Sequence, residues 1–457
     1  MEKFDVVVIG SGSGMIIASN AVNHGIKTAV IEFGPMGGTC VNRGCIPSKM
    51  LIYPADVVAI IQEAKRIDVD AKINWIDFRN IMKRMRDFVN EDSQHQAAAV
   101  EATQNLVWFK TVGEFTSDYT MKVGEQTIKG DRIFIVSGAR LGIPPIKGIE
   151  NVNYLTSDTV LELKKPPKNI VIIGGGYIAA EYSHFFSSMG TKVTILQRSP
   201  RLIPEEEPEI SDLLRQELEK RMTIFTNHEA IEAYEKSGVK TVIAKNRETG
   251  KLREFSAEAL LVAAGRVPNS DMLKPEKTGV QLDESGYVKV NEYLETSKAN
   301  IWAFGDAIGK EMFKHVANYE AEIAWHNAVH EHKVKMDYSV APHAIFTHPQ
   351  VASVGLKEAE AKQKGYKILI GKAFYKDTAL GAAMGNPEGF VKVIVEHDTG
   401  KLLGAHIIGP LASSLIQEII NVMVCGDKTF LPITRAMHIH PAMSEVVQRA
   451  FGSLREA

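Results

Sequence analysis

Residues 37–49 read GGTCVNRGCIPSK and carry two of the chain's three cysteines, Cys40 and Cys45, with four residues between them. That gap differs from the two-residue spacing of zinc knuckles and thioredoxin-type loops, and no second cysteine pair exists to complete a tetrahedral sulfur site. The following run, Ile46 to Ile67, has apolar residues at helical spacing, which places both sulfurs in or just before a first helical turn. Unpaired backbone N–H groups at such a turn favour a thiolate over a thiol and lower a cysteine pKa. The plain alternative is a pair of buried cysteines beside a glycine-rich turn.

Outward from this stretch, a length of 457 residues allows about two to four domains with large cores. The net charge of −2 and the absence of a basic-aromatic stripe argue against a nucleic-acid partner. No run of roughly 18 apolar residues is apparent, so no membrane span is expected. Residues 1–10 read as a strand and turn instead of a signal peptide. Three cysteines make no structural disulfide framework, which points to the cytoplasm, where a disulfide is more often catalytic than structural. Cys425 stands in an apolar helical pattern and is expected in the core.

Residues 4–9, FDVVVI, form a buried-strand pattern followed by GSGSG (Gly10, Gly12, Gly14), a helical run to His24, and a second strand from Lys27 to Ile31 that ends in Glu32. Strand, glycine turn, helix, strand and terminal acid together form a dinucleotide-binding fingerprint. The glycines let a pyrophosphate approach the helix N-terminus, and the acid can hold a ribose hydroxyl pair. The pattern departs from GxGxxG, with Met at position 15 and the third glycine one residue early at Gly14. The same unit returns at 169–197, where a strand precedes GGGYIA, supplying Gly174, Gly176 and the small Ala179. Two such sites imply two dinucleotides with electron transfer between them. The second unit ends in Gln197-Arg198, with Ser199 and Arg201 nearby. Arginine without an acid favours NADP(H) over NAD(H), because the acid would repel a 2′-phosphate.

Between the fingerprints, Leu106 to Ile135 alternates with turn signals at Gly113, Gly124 and Gly130, suggesting a β-meander. IFIVSGAR runs from a strand into a small-residue turn at Ser137 and Gly138, which allows close approach of a nucleotide. The acidic run Glu205 to Glu209 reads as a solvated helix start without functional weight. ALLVAAG leads through Gly265 into Arg266-Val-Pro-Asn, and IWAFGD places Asp306 at a strand end, a position suited to a polar ligand. From Tyr338 alternating strands and then helices indicate a separate α+β domain. It ends in HIHPAMSEVV, where His440 and Glu445 form a candidate acid–base pair. Judged alone, that pair reads as structural.

Together GGTCVNRGCIPSK, GGGYIAAE, AAGRVPN, IWAFGDAI and HIHPAMSEVV, in this order across essentially the whole chain, resemble the FAD-dependent pyridine nucleotide–disulfide oxidoreductases. The resemblance implies an α/β fold with two Rossmann-like dinucleotide-binding domains, for FAD and NAD(P), and a C-terminal α+β dimerisation domain. The expected division is 1–145 for FAD, 146–266 for NAD(P), 267–337 returning to the FAD or central domain, and 338–457 for the homodimer interface. By resemblance, electrons pass from NADPH to FAD, to Cys40–Cys45, and on to a small disulfide. Cys45 lies against the flavin and Cys40 exchanges with substrate. His440, oriented by Glu445, acts on the partner's Cys40, and Lys49 pairs with Glu181. Cofactor-binding candidates are Gly10, Gly12, Gly14, Glu32, Gly38, Thr39, Lys49, Gly113, Ser137, Gly138, Asp306 and His315, together with Gly174, Gly176, Ala179, Arg198, Gly265 and Arg266.

Within the family, the shortened GSGSG turn, CIPSKMLIYPADV, KHVANYEAEIAWHN and LLGAHIIGPLASSLIQ resemble mycothione reductases. The runner-up is dihydrolipoamide dehydrogenase, which shares CIPSK, His315 and the His-Pro-x3-Glu ending but normally places an NAD-selecting acid where Gln197-Arg198 stands. Mercuric reductase is less favoured, for want of a further N-terminal or C-terminal cysteine pair. A flavin-bound redox sensor without turnover is a remote alternative. Arg43 adds a cation between the redox cysteines, suited to depress a thiolate pKa or to select an anionic substrate, the plain alternative being a side chain that faces solvent.

Overall fold

The computed structural model describes residues 1–457, which divide into two compact units. The first comprises residues 1–48, 82–142 and 265–338. Its centre is β1 (Glu2–Ile9), joined through the glycine turn to α1 (Gly14–Asn23) and then β2 (Thr28–Ile31). Both strands are apolar on both faces because they run parallel in the middle of a seven-stranded sheet. Leu106–Phe109 pairs parallel outside β2, and Gln126–Ile135 and Ile301–Ala303 follow on the other side of β1. The expected meander is confined to Gly113–Ser117, Thr120–Val123 and Gln126–Ile135, which pair antiparallel; Leu106–Phe109 belongs to the parallel part.

After β2 come α2 (Gly38–Asn42) and α3 (Cys45–Glu63), so Cys40 lies within one short helix and Cys45 opens the next. Residues 38–67 as a whole are long and apolar enough, by length and composition, to cross a membrane, which corrects the expectation that no such run exists. The run is broken between α2 and α3, buries Leu51 and Ala55 in the fold, and carries Lys49 and Asp56, both engaged by other parts of the chain.

The second unit comprises residues 49–81, 143–264 and 339–457. A four-stranded parallel sheet, in the order 223–225, 192–196, 169–173, 259–262, carries the second glycine turn and the helix Tyr177–Ser188. Three antiparallel strands, 228–236, 239–246 and 252–257, accompany it. The C-terminal part is a six-stranded antiparallel sheet covered by helices Ala412–Val424 and Glu445–Gly452, whose Ile416, Ile419, Val446 and Phe451 fill its core.

Two readings of the sequence fail here. Cys425 is exposed, because Ala412–Val424 ends one residue before it in a turn. The acidic run is not solvated: Glu206 and Glu207 are buried. Glu206 accepts hydrogen bonds from His343 and Ser353, and Glu207 pairs with buried Lys392 at 3.2 Å. Burial works to raise the Glu206 carboxyl, but these donors outweigh it and hold the pKa below its ordinary value.

Candidate active site

The two glycine turns are built alike. Gly10 has φ +111° and a Cβ there would lie 2.2 Å from the Val136 carbonyl; Gly174 has φ +120° and its Cβ would lie 2.2 Å from the Ala263 carbonyl. These glycines let each turn press against the residue that follows a neighbouring strand. By contrast, a Cβ on Gly12 or Gly176 would meet no protein atom within 4 Å, so these two face open space at a helix N-terminus, where a phosphate fits. The early Gly14 has its own role. Its Cβ would come within 2.7 Å of Val8, so it gives the close helix–strand packing that the third glycine of the fingerprint normally supplies. Ala179, fully buried, takes that position in the second unit.

Glu32 stands at the end of β2, where its Oε2 accepts from Ser11 N (3.0 Å) and Ser11 Oγ (2.9 Å) and its Oε1 from Gly34 N (2.8 Å). Oε1, with a single donor, keeps acceptor capacity for a ribose hydroxyl. Around the same sheet, Ser137 Oγ and Arg266 Nε are buried with no hydrogen-bond partner. Arg266 Nε lies 3.6 Å from Asp306, whose pKa burial raises while Arg266 pulls it down. Gly138 and Gly265, at positive φ, face open space. His315 stacks on Phe313, with ring centroids 5.7 Å apart. Orphaned buried donors, an uncovered glycine turn and a ribose-type acid are what a bound FAD would satisfy. Gly113 is different, since Ile31 and Met121 already crowd its missing Cβ at 3.1 Å.

Gly38, at φ +64°, seats α2 directly on this turn, because a Cβ there would lie 2.7 Å from Gly12 Cα. Thr39 follows, and its carbonyl accepts from Arg43 N to close α2. Cys40 and Cys45 are present as thiols that share a hydrogen bond. That bond to Cys45, followed by burial, raises the Cys40 pKa, contrary to the sequence expectation of a helix-activated thiolate. Two sulfurs holding one proton between them make the second ionisation costly, and α2 has only five residues of dipole to oppose this.

In the second unit Lys49 Nζ donates to both oxygens of Glu181, at 2.9 and 2.8 Å. Phe346 N also donates to Glu181 at 3.0 Å, and the Phe346 ring lies 4.4 Å from the Lys49 ammonium. This last contact gave no sequence signal. At the second strand end, the Gln197 side chain fills the space over Gly175 and donates to the Arg201 carbonyl at 3.2 Å. Arg201 is tied to Asp212 at 2.9 Å, whereas Arg198 is exposed. Near the C-terminus His440 Nδ1 lies 2.9 Å from Glu445 Oε1, and Ala442 N donates to Glu445 Oε2 at 3.2 Å. The His440 bond holds the Glu445 carboxyl below its ordinary range. Nδ1–H directed at the carboxylate leaves Nε2 to exchange protons, on a ring that is 69% exposed.

A thiol pair on a dinucleotide turn, a second turn for another dinucleotide and a carboxylate-oriented histidine define an FAD-dependent oxidoreductase acting on sulfur groups. The chain belongs to the pyridine nucleotide-disulphide oxidoreductase family, whose model matches residues 4–330, with the family's dimerisation domain at 341–451. It is 36% identical to mycothione reductase of Mycobacterium tuberculosis (strain H37Rv), over 100% of both chains. It is 33% identical to dihydrolipoyl dehydrogenase of Synechocystis, over 98% of each. The fold also matches the HOCl-induced flavoprotein disulfide reductase RclA of Escherichia coli, with a TM-score of 0.87 at 28% identity, covering 98% of this chain and 99% of that one.

Proposed function

We propose that this chain is an NADPH-dependent reductase of a low-molecular-weight thiol's disulfide, of the mycothione reductase kind, working as a cytoplasmic homodimer. The observation that carries the reading is the Cys40–Cys45 thiol pair seated on the first glycine turn through the Gly38–Gly12 contact. The domain assignment that goes with it is 1–145 and 267–337 for FAD, 146–266 for NADPH and 338–457 for the dimer interface.

FAD, held by the Gly10–Gly14 turn, Glu32 and Asp306, supplies the conversion between a hydride and an electron pair. The chain's own residues do the rest. A Cys40 thiolate attacks one sulfur of the substrate disulfide, forming a mixed disulfide and expelling the other sulfur as a thiolate. His440 of the partner subunit protonates that leaving group. The Cys45 thiolate then attacks the Cys40 sulfur, releasing the second substrate thiol and leaving Cys40–Cys45 oxidised, so two electrons pass to the substrate. Because the bond to Cys45 holds Cys40 protonated, Cys40 needs a base, and the exposed Nε2 of His440, oriented by Glu445, is suited to that task. Lys49, on α3, is held by its ion pair with Glu181. Preference for NADPH is supported by Gln197 in place of the usual acid and by the exposed Arg198 beside it.

Dihydrolipoamide oxidation with NAD+ is the second reading, favoured by the relative from Synechocystis. Steady-state NADPH and NADH oxidation with mycothione disulfide, other small disulfides and lipoamide separates the two. NADPH-driven turnover of a small disulfide, abolished in Cys40→Ser, is expected. Turnover confined to the NADH–lipoamide couple would overturn the assignment, and turnover that survives Cys40→Ser would remove the cysteines from it.

A further inference from the structure

We propose that the ammonium of Lys314 is a built-in counter-charge for the Cys40–Cys45 pair, a positioning residue that favours its thiolate form and sets the pH range in which it reacts. The inference rests on these cysteines being the redox centre.

Lys314 is the first residue of the helix Lys314–Val329 and is only partly exposed. Its Nζ donates to Ser13 Oγ at 3.0 Å, and Ser13 Oγ donates to Asn318 Oδ1 at 2.9 Å, one turn along the same helix. The ammonium is therefore fixed on the glycine turn. Ser13 follows Gly12, and Gly12 is the residue on which Gly38 packs; Cys40 lies two residues beyond Gly38. Lys314 and the start of α2 are thus linked through the adjacent residues Ser13 and Gly12 of one turn.

The charges work in the same direction. Those that act on Lys314 are Cys40 and Cys45, with no carboxylate among them, while burial disfavours the ammonium. On Cys40, the Cys45 hydrogen bond, burial and the Cys45 charge all oppose ionisation; Lys314 is the side-chain charge that promotes it. Burial makes the lysine's charge costly to keep, and an ionised sulfur offsets part of that cost. Arg43 lies between the cysteines in the chain and is a second cation to control for.

The test is alkylation of the reduced, FAD-loaded dimer by iodoacetamide from pH 5 to 9. A Cys425→Ser background removes the exposed third thiol, and peptide mass spectrometry assigns the reacting sulfur. The first sulfur to react in the unsubstituted pair should titrate below the ordinary thiol value of about 8.5. Lys314→Met and Lys314→Gln should move that midpoint up by about one pH unit, with alkylation about tenfold slower below it, as expected for loss of a nearby opposite charge. Lys314→Arg should stay within about twofold of the parent, and Arg43→Met should leave the Lys314 effect intact. A parent midpoint at or above the ordinary thiol value overturns the proposal without any variant. So does an unchanged profile in the neutral variants, an equal shift in Lys314→Arg, or loss of FAD with an unchanged profile in the fraction that retains it. Cys40→Ser turnover, measured in parallel, keeps failure of this inference distinct from failure of the redox assignment.

Discussion

Replacing Gly10 and Gly12 separately by alanine should divide the first glycine turn into a residue that holds the fold and a residue that receives the cofactor. At Gly10 the added methyl would lie 2.2 Å from the Val136 carbonyl, on backbone at φ +111°. Left-handed strain of about 1–2 kcal/mol and overpacking of about 1–3 kcal/mol sum to roughly 2–5 kcal/mol of lost stability. At Gly12 the methyl meets nothing within 4 Å and φ lies outside the positive region, so the apoprotein should be unchanged or stabilised by up to about 1 kcal/mol. That same methyl stands where FAD must approach, and the overpacking of about 1–3 kcal/mol then falls on binding, about 5- to 150-fold in affinity. Unfolding of the two apoproteins gives the first quantity, and flavin-to-protein ratio during FAD titration gives the second. Equal destabilisation of both variants, or unaltered FAD affinity in Gly12→Ala, would refute the reasoning.

Two further substitutions test the buried charges. Lys49→Met leaves Glu181, 7% exposed, without its bidentate partner. The usual cost of about 3–5 kcal/mol for orphaning a buried charge drops to about 2–3 kcal/mol because Lys49 itself is 36% exposed, and Lys49→Met/Glu181→Gln should recover most of it in thermal unfolding. Glu320 is fully buried, accepts hydrogen bonds from Tyr338 Oη and Gly305 N, and burial pushes its pKa up to about 7. A raised folded-state value means its contribution is complete below the unfolded carboxyl value of about 4.3 and is lost as pH rises through 7. Stability measured from pH 5 to 8 should therefore fall by about 1–3 kcal/mol more in the unsubstituted chain than in Glu320→Gln, and parallel curves would contradict the assignment.

The local parts of this site were legible in the sequence because each is written in consecutive residues. The glycine turns, the Cys40–Cys45 spacing and the His440–Glu445 pair each lie within a dozen positions, and the structure forms them as read. The Lys49–Glu181 pair spans 132 residues and came only from family resemblance. What failed depended on distant partners with no pattern to announce them. Glu206 looked solvated because its donor His343 lies 137 residues away, and Lys392 meets Glu207 across 185. The Cys40 pKa was misjudged because helix N-termini were weighed without the hydrogen bond from the second sulfur. Lys314 stood directly before His315 but nothing local linked it to Ser13, 301 residues earlier.

The central claim is that Cys40 and Cys45 carry the electrons, and counting thiols tests it most directly. Oxidised, FAD-loaded protein is given one equivalent of NADPH without oxygen, or NADH in parallel, then alkylated and mapped by mass spectrometry. The account predicts two new alkylated sites with NADPH, at Cys40 and Cys45, and slower labelling with NADH. Bleaching of the yellow flavin with no new label on either cysteine would contradict it.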